Sequence, residues 1–131
     1  MMEYTISISF TGKLIHAVID GQNSKDNVNR YMSDIQQEVE KLQCKNILIE
    51  DQLTGPGLDP IDVFDIIRSH TRYARIHKLR IGYIDINRYL HRTTVAFGEN
   101  LANIFGVNVK VFNSVEDATA WLITVEHEPE F

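Results

Sequence analysis

Acidic and amide side chains stand where the strands predicted from the sequence come to an end. These residues are Asp20, Glu50, Asp51, Asp85 and Asn87. Ligands of open α/β sheets commonly bind outside the carboxyl ends of the strands. A carboxylate cluster there could hold Mg²⁺ and accept a phosphoryl group. That chemistry also needs a lysine just after the last strand, and none follows it. Because Asp and Asn also end strands through local turn hydrogen bonds, we predict no metal site.

The remaining reactive side chains form no complete catalytic set. His70 and His77 lie seven residues apart, which is too far along a helix for both to bind one metal ion. His16 interrupts an apolar strand and is expected to be a hydrogen-bonded core residue. Cys44 has no sequence-local partner that would activate a thiol, and it is interpreted as a small structural residue. The sequence therefore predicts no enzyme activity and no cofactor.

Basic residues are concentrated between positions 68 and 92, where seven of them face a single acid, Asp85. Those late in the second predicted helix complement its dipole. Arg88 and Arg92 instead stand one turn apart at the start of the third predicted helix, where a cation is unfavourable. We therefore take these two arginines as candidates for contacting an anionic group, such as an acidic partner, a lipid head group or a phosphate.

Length and composition restrict the class of protein. The chain has 131 residues, which predicts one domain over residues 1–125 and a frayed acidic tail over 126–131. Its formal charge of −5 argues against a nucleic-acid partner. The apolar runs are too short to span a membrane, and the N-terminus does not resemble a signal peptide. One cysteine fits a reducing compartment, so we expect a cytoplasmic protein.

Hydrophobic periodicity predicts the elements that would carry these residues. Strands are expected over residues 4–10, 14–19, 46–50, 80–86 and 107–112. Helices are expected over about 25–43, 60–77 and 88–105, followed by a short one that begins after Ser114. The second helix would bury Phe64, Ile67, Thr71 and Ala74, and the third Leu90, Thr94, Phe97, Leu101 and Ile104. Gly106 is placed to end the third helix.

The resulting order is β-β-α-β-α-β-α-β-α. Alternating strands and helices predict a single α/β domain with a mixed, mainly parallel five-stranded sheet, four helices and an antiparallel opening hairpin. An exposed edge strand and the aromatic residues Tyr31 and Tyr73, expected at the surface, would allow a homodimer.

Several segments resemble the SpoIIAA-like (STAS-like) family. They are the opening hairpin, the first helix with its apolar stripe, the strands NILIED and RIGYIDI, and the ending VKVFNSVEDATAWL. The resemblance extends from about Tyr4 to Ile123. It implies a sheet wound as a β/α superhelix without catalytic activity, acting as a regulatory protein-interaction or small-ligand module. The partner would be an unidentified protein or a small apolar or anionic ligand.

The resemblance also implies two alternative functions. One branch of the family carries a phosphorylatable serine in a DSSG-type motif after the third strand. This chain has Asp-Gln-Leu-Thr-Gly at residues 51–55 instead, so Thr54 is the nearest candidate phospho-acceptor. A relation to SEC14-type domains implies a cytoplasmic carrier of an apolar ligand or lipid. The predicted ligand or partner site comprises Thr54, Arg88, Tyr89 and Arg92.

Overall fold

A computed structural model describes residues 4–87 and 89–124 of the chain. The predicted tail over 126–131 and the side chain of Arg88 lie outside the described residues. The elements are β1 (Tyr4–Phe10), β2 (Ile15–Gln22), α1 (Lys25–Leu42), β3 (Asn46–Thr54), α2 (Pro60–Ile76), β4 (Arg80–Asp85), α3 (Arg92–Ile104), β5 (Asn108–Val111) and α4 (Val115–Thr124). This order and the single α/β domain confirm the predicted fold class.

The five strands form one sheet in their sequence order, β1-β2-β3-β4-β5. β1 pairs with β2 antiparallel, and every later pair is parallel. Right-handed crossovers between sequential parallel neighbours bring α1, α2 and α3 to the same face of the sheet. α4 packs on the opposite face, where Ala118 and Leu122 contact Leu48 and Ile84. The sheet therefore separates a large core beneath three helices from a small one beneath α4.

Two strands are longer than the sequence predicts. β2 continues to Gln22 and β3 to Thr54, in continuous parallel register with each other. The prediction that these segments form loops after residues 19 and 50 is wrong. Asp, Gln and Asn are turn formers in isolation, but the neighbouring strand satisfies the backbone groups here, so pairing decides the conformation.

The helical boundaries differ most in α3, which begins at Arg92 instead of residue 88. The backbone before it forms turns, and the amide of His91 donates to the carbonyl of Asn87 (2.9 Å). Gly106 follows the helix with φ of 87°, which confirms its predicted role in the left-handed region. Ser114 accepts a hydrogen bond from the amide of Asp117 (3.1 Å) and so begins α4 as predicted.

The predicted buried faces of α2 and α3 are partly wrong. Phe97 is 39% exposed and Ile104 76% exposed on α3, whose buried residue is Ala102. Leu90 precedes the helix and is also exposed. On α2, Phe64 is exposed, whereas Val63 and Ile66 are buried beside the expected Thr71 and Ala74. Apolar periodicity located a stripe on each helix, but the rotation of each helix against the sheet depends on tertiary packing.

The expectation that Tyr31 lies at the surface is also wrong, because its side chain is buried in the main core. Tyr73 is half-buried, and its hydroxyl donates to the Glu40 carboxylate (2.6 Å). None of the helices within the described part of the chain is long and apolar enough to cross a membrane.

Candidate functional site

A cavity of about 160 Å³ lies between the sheet and the three helices that cover one face. Its floor consists of side chains from β3, β4 and β5 that alternate towards this face. They are Ile49, Asp51, Ile81, Tyr83, Asp85, Val109 and Val111. The remaining walls come from α1, α2 and α3 and are mainly aliphatic. The cavity is therefore apolar over most of its surface and polar where β3 and β4 end.

Asp51 is the centre of this polar end and is only 3% exposed. Its Oδ2 atom accepts hydrogen bonds from the hydroxyls of Tyr83 (2.7 Å) and Tyr31 (3.0 Å), and Oδ1 accepts one from the amide of Leu53 (2.9 Å). All three donors are uncharged. Burial raises the pKa of Asp51 above its usual value, and these hydrogen bonds oppose that rise. Burial also raises the pKa of both tyrosines, so their hydroxyls stay protonated donors.

A second buried carboxylate, Asp85, is the register partner of Asp51 on the neighbouring strand. Its Oδ2 atom lies 2.8 Å from Nδ1 of His91, and the imidazole Nε2 lies 2.6 Å from the carbonyl oxygen of Gly55. A carbonyl oxygen can only accept, and an ionised carboxylate only accepts. Both ring nitrogens of His91 must therefore carry protons when Asp85 is ionised, which makes the imidazole a cation.

The pKa of His91 agrees with this assignment. Its burial lowers the pKa, but the hydrogen bonds to Gly55 and Asp85 and the negative charges of Asp85 and Asp51 outweigh that effect, so the pKa is raised. The side chain of His91 is 3% exposed and that of Asp85 is 4% exposed. The pair is thus a buried ion pair inside the cavity wall.

The segment 55–58, hereafter the 55–58 loop, covers this end of the cavity. His91 holds it through the Gly55 carbonyl, Nδ2 of Asn23 donates to the Pro56 carbonyl (2.9 Å), and Oγ1 of Thr94 lies 3.4 Å from the Leu58 carbonyl. A Cβ atom at Gly57 would lie 2.7 Å from the same Thr94 oxygen, so the loop passes α3 too closely for a larger residue. Leu58 itself contributes to the apolar wall.

The described residues of the predicted binding site, Thr54, Tyr89 and Arg92, do not line this cavity. Thr54 is exposed at the end of β3, and its hydroxyl donates to the Gly21 carbonyl (3.2 Å). Tyr89 is 81% exposed in the turns before α3, and Arg92 is exposed at the first position of that helix. Arg88 lies outside the described residues. The structure therefore places three of the four near the edge of the sheet where the 55–58 loop lies, but not in the cavity.

The carboxylates at the strand ends do not all converge. Asp51 and Asp85 are buried together, whereas Glu50 points to the opposite face and contacts the half-buried ring of His16. Asp20 is exposed. Within residues 4–87 and 89–124, no group of three His, Cys, Asp or Glu side chains could hold a metal ion.

Sequence reasoning missed the three side chains that complete the polar end. Tyr31 follows Val28 by three residues and precedes Ile35 by four, so it falls on the inner stripe of α1 and could have been found there. Tyr83 alternates with Ile81 and Asp85 in β4, so a two-residue period places all three on one face. His91 carried no such signal, because its contacts depend on how a loop folds over the sheet.

Comparisons with known proteins agree with this architecture. The sequence matches no protein-family profile and no curated protein. Solved structures do match. A variant of RsbS from Moorella thermoacetica superposes with a TM-score of 0.61 at 13% identity, over 94% of this chain and 98% of that chain. The chain has the SpoIIAA-like fold.

Two further structures share this SpoIIAA-like fold. One is an uncharacterized protein of the DUF3478 family from Shewanella loihica, described as having a SpoIIAA-like fold (TM-score 0.57, 15% identity, 93% of this chain and 95% of that chain). The other is a chain of the stressosome, described as a signal integration and transduction hub (TM-score 0.58, 13% identity, 93% and 100%). The predicted resemblance to SpoIIAA-like proteins is thereby confirmed at the level of the fold.

Proposed function

We propose that this protein is a non-enzymatic SpoIIAA-like regulatory module that binds a small apolar ligand in the cavity beneath α1, α2 and α3. The observation that carries the proposal is the cavity itself, whose volume is about 160 Å³ and whose walls are mainly aliphatic. Protein interiors are otherwise close-packed, so an apolar cavity of this size leaves room for a ligand. Apolar cavities of about 150 Å³ take up molecules of the size of benzene.

The arrangement of polar groups favours binding over catalysis. Both nitrogens of His91 are already donors to Asp85 and Gly55. A general base needs an available lone pair within reach of the substrate, and neither His91 nitrogen has one. No serine, cysteine or lysine is among the described residues that line the cavity. The polar end therefore orients a ligand and fixes the 55–58 loop.

The volume favours a ligand of about six to ten non-hydrogen atoms over a whole lipid. A lipid carrier of the SEC14 type remains the alternative within the same site, and the molecule that copurifies with the protein distinguishes the two. Extraction followed by mass spectrometry should yield a small molecule; recovery of a stoichiometric phospholipid or fatty acid would favour the carrier.

Binding of a neutral probe tests the proposal directly. Benzene added to ¹⁵N-labelled protein should shift the backbone amide resonances of Ile49, Ile81 and Val109 in a saturable manner. Ala102→Leu places a larger side chain in the cavity wall and should abolish these shifts. Ala120→Leu adds the same side chain at an exposed position of α4 and should retain them. Absence of saturable shifts in the wild type, or identical behaviour of the two variants, would contradict the proposed site.

We further propose that the protein partner contacts the surface formed by Thr54, Arg88, Tyr89 and Arg92. The exposure of Tyr89 and Arg92 beside the turns that lead to His91 supports this placement, because a partner there would sense the 55–58 loop. Once a partner has been identified by crosslinking, Arg88→Ala combined with Arg92→Ala should weaken its binding. An unchanged affinity would exclude this surface.

The exposed hydroxyl of Thr54 supports a phospho-acceptor switch as a second candidate function. It lies at the last position of β3, directly before the 55–58 loop. A phosphate there would add a charge of about −1.5 to −2 next to the loop that covers the cavity. Mass spectrometry of protein purified from its native cell should detect a phosphorylated peptide containing Thr54; its consistent absence under growth and stress would argue against the switch.

Self-association as a homodimer is the remaining proposal for partners. β1 is an edge strand of the sheet and offers unpaired backbone groups to a second copy. Light scattering at two concentrations should give a mass that rises towards that of a dimer. A monomer mass at both concentrations would contradict it.

A further inference from the structure

The charged groups around the cavity are unevenly balanced. Asp51, Asp85 and Glu99 contribute three carboxyl groups to its lining, and no lysine or arginine is among the described lining residues. Among the described lining residues His91 is the cation, and burial lowers the pKa of His70, which disfavours its charged form. An apolar cavity with this lining attracts positive charge and repels anions.

The positive charge of His91 is paired with the carboxylate of Asp85. Its Nδ1 proton points to Asp85, and its Nε2 proton points to the Gly55 carbonyl. From the described residues, Asp51 receives hydrogen bonds from two tyrosine hydroxyls and one backbone amide, all neutral. A carboxylate offers about four lone-pair sites, so Asp51 retains acceptor capacity after these three bonds. A buried carboxylate whose described hydrogen-bond donors are all neutral is costly, and a bound cation that donates to it would relieve that cost.

We propose that the cavity takes a small apolar cation, an ammonium group carried on an aliphatic or aromatic body, with the ammonium at Asp51 and the body against Ile49, Ile81 and Val109. This inference rests on the proposed function and names its ligand class. The ammonium would donate to Asp51, next to the hydroxyls of Tyr31 and Tyr83 that already contact this carboxylate. It replaces, for this cavity, the expectation of an anionic ligand.

Glu99, on α3, adds a further carboxylate that favours a cation in the cavity. Its Oε2 atom accepts a hydrogen bond from the amide of Val111 (2.8 Å), which fixes the carboxylate against β5. The side chain is half-buried and lines the cavity with Asp51. A cation in the cavity would therefore meet carboxylates from both the sheet and α3.

Three probes of one shape separate charge from size: benzylamine, benzyl alcohol and benzoate. Dissociation constants from ¹⁵N chemical-shift titration at pH 7 should show benzylamine binding about tenfold or more tightly than benzyl alcohol, with benzoate weakest, because a charged hydrogen bond adds that much. Asp51→Asn should remove most of the advantage of benzylamine over benzyl alcohol. An asparagine can still accept from Leu53 and donate to the tyrosines, so this variant is expected to fold.

Two further variants test the effect of charge on benzylamine binding without changing Asp51. Glu99→Gln should reduce benzylamine affinity a few-fold, and Glu116→Gln, an exposed carboxylate of α4 on the other face of the sheet, should leave it unchanged. Saturable binding of benzyl alcohol that equals or exceeds that of benzylamine would overturn the inference while leaving the proposed function intact. Failure of all three probes and of benzene to shift the cavity residues would overturn the proposed function as well.

Discussion

Removing the imidazole of His91 is the strongest single perturbation that the structure offers. His91→Ala leaves the Asp85 carboxylate, 4% exposed, without its counter-ion and the Gly55 carbonyl without its donor. Breaking a buried ion pair by deleting one partner costs about 3–5 kcal/mol. Domains of this size have free energies of unfolding of about 5–15 kcal/mol, so we expect the variant to lose a large fraction of its stability.

Urea denaturation at pH 6 measures this loss, and a double-mutant cycle assigns it. Asp85→Asn alone should also destabilise the protein, because it leaves the imidazolium buried and unpaired. The double variant should lose less than the sum of the two single losses, since neither charge then remains. His77→Ala is the matched control. That ring is 39% exposed, lies 3.7 Å from Glu40, and its charge interaction should contribute less than about 1 kcal/mol.

The His91–Asp85 pair should also contribute to the pH dependence of stability. The pKa of His91 is higher in the folded protein than its ordinary value of 6.5. Its stabilising contribution is therefore fully present below about pH 6.5 and disappears as the pH rises through the raised folded pKa. Wild-type unfolding free energy should fall over that window, with a weaker fall in His91→Ala. The assignment of a buried ion pair would be refuted if the unfolding free energies of wild type and His91→Ala changed in parallel with pH. It would also be refuted if His91→Ala lost less than about 1 kcal/mol of unfolding free energy at pH 6.

Three further substitutions test the cavity wall and its covering loop. Tyr83→Phe removes one donor to Asp51 and should lower the free energy of unfolding by about 1–3 kcal/mol in urea denaturation, and no loss would mean that this hydrogen bond is not stabilising. Gly57→Ala should lower the melting temperature because its Cβ would displace Thr94; the same change in a Thr94→Ala background should do less harm, and equal effects would rule out this contact. A Cβ atom at Gly98 on α3 would lie 3.5 Å from Cγ1 of Val63, which is an ordinary van der Waals contact. Gly98→Ala should therefore raise the free energy of unfolding by about 0.5–1 kcal/mol, because alanine has the higher helix propensity. A lower free energy of unfolding would indicate tighter packing at this position.

The sequence by itself determined the order and type of the elements, and with them the fold. Alternation in β1 and the 3.6-residue stripe of α1 are local properties that survive any tertiary arrangement. The antiparallel hairpin and the sequence of parallel strands follow from short connections and right-handed crossovers. Gly106 ends α3 through its left-handed backbone and Ser114 caps α4, and both effects depend only on neighbouring residues, so the sequence predicts them.

Tertiary structure alone decided where the chemistry lies. Asp51 looks like a turn former in the sequence, but β2 continues to pair beside β3, so the strand extends past it and buries its carboxylate. His91 meets Asp85 only because the 55–58 loop folds over the sheet and offers the Gly55 carbonyl to its second nitrogen. Burial and charge pairing depend on residues distant in sequence, whereas periodicity records only which side chains share a face.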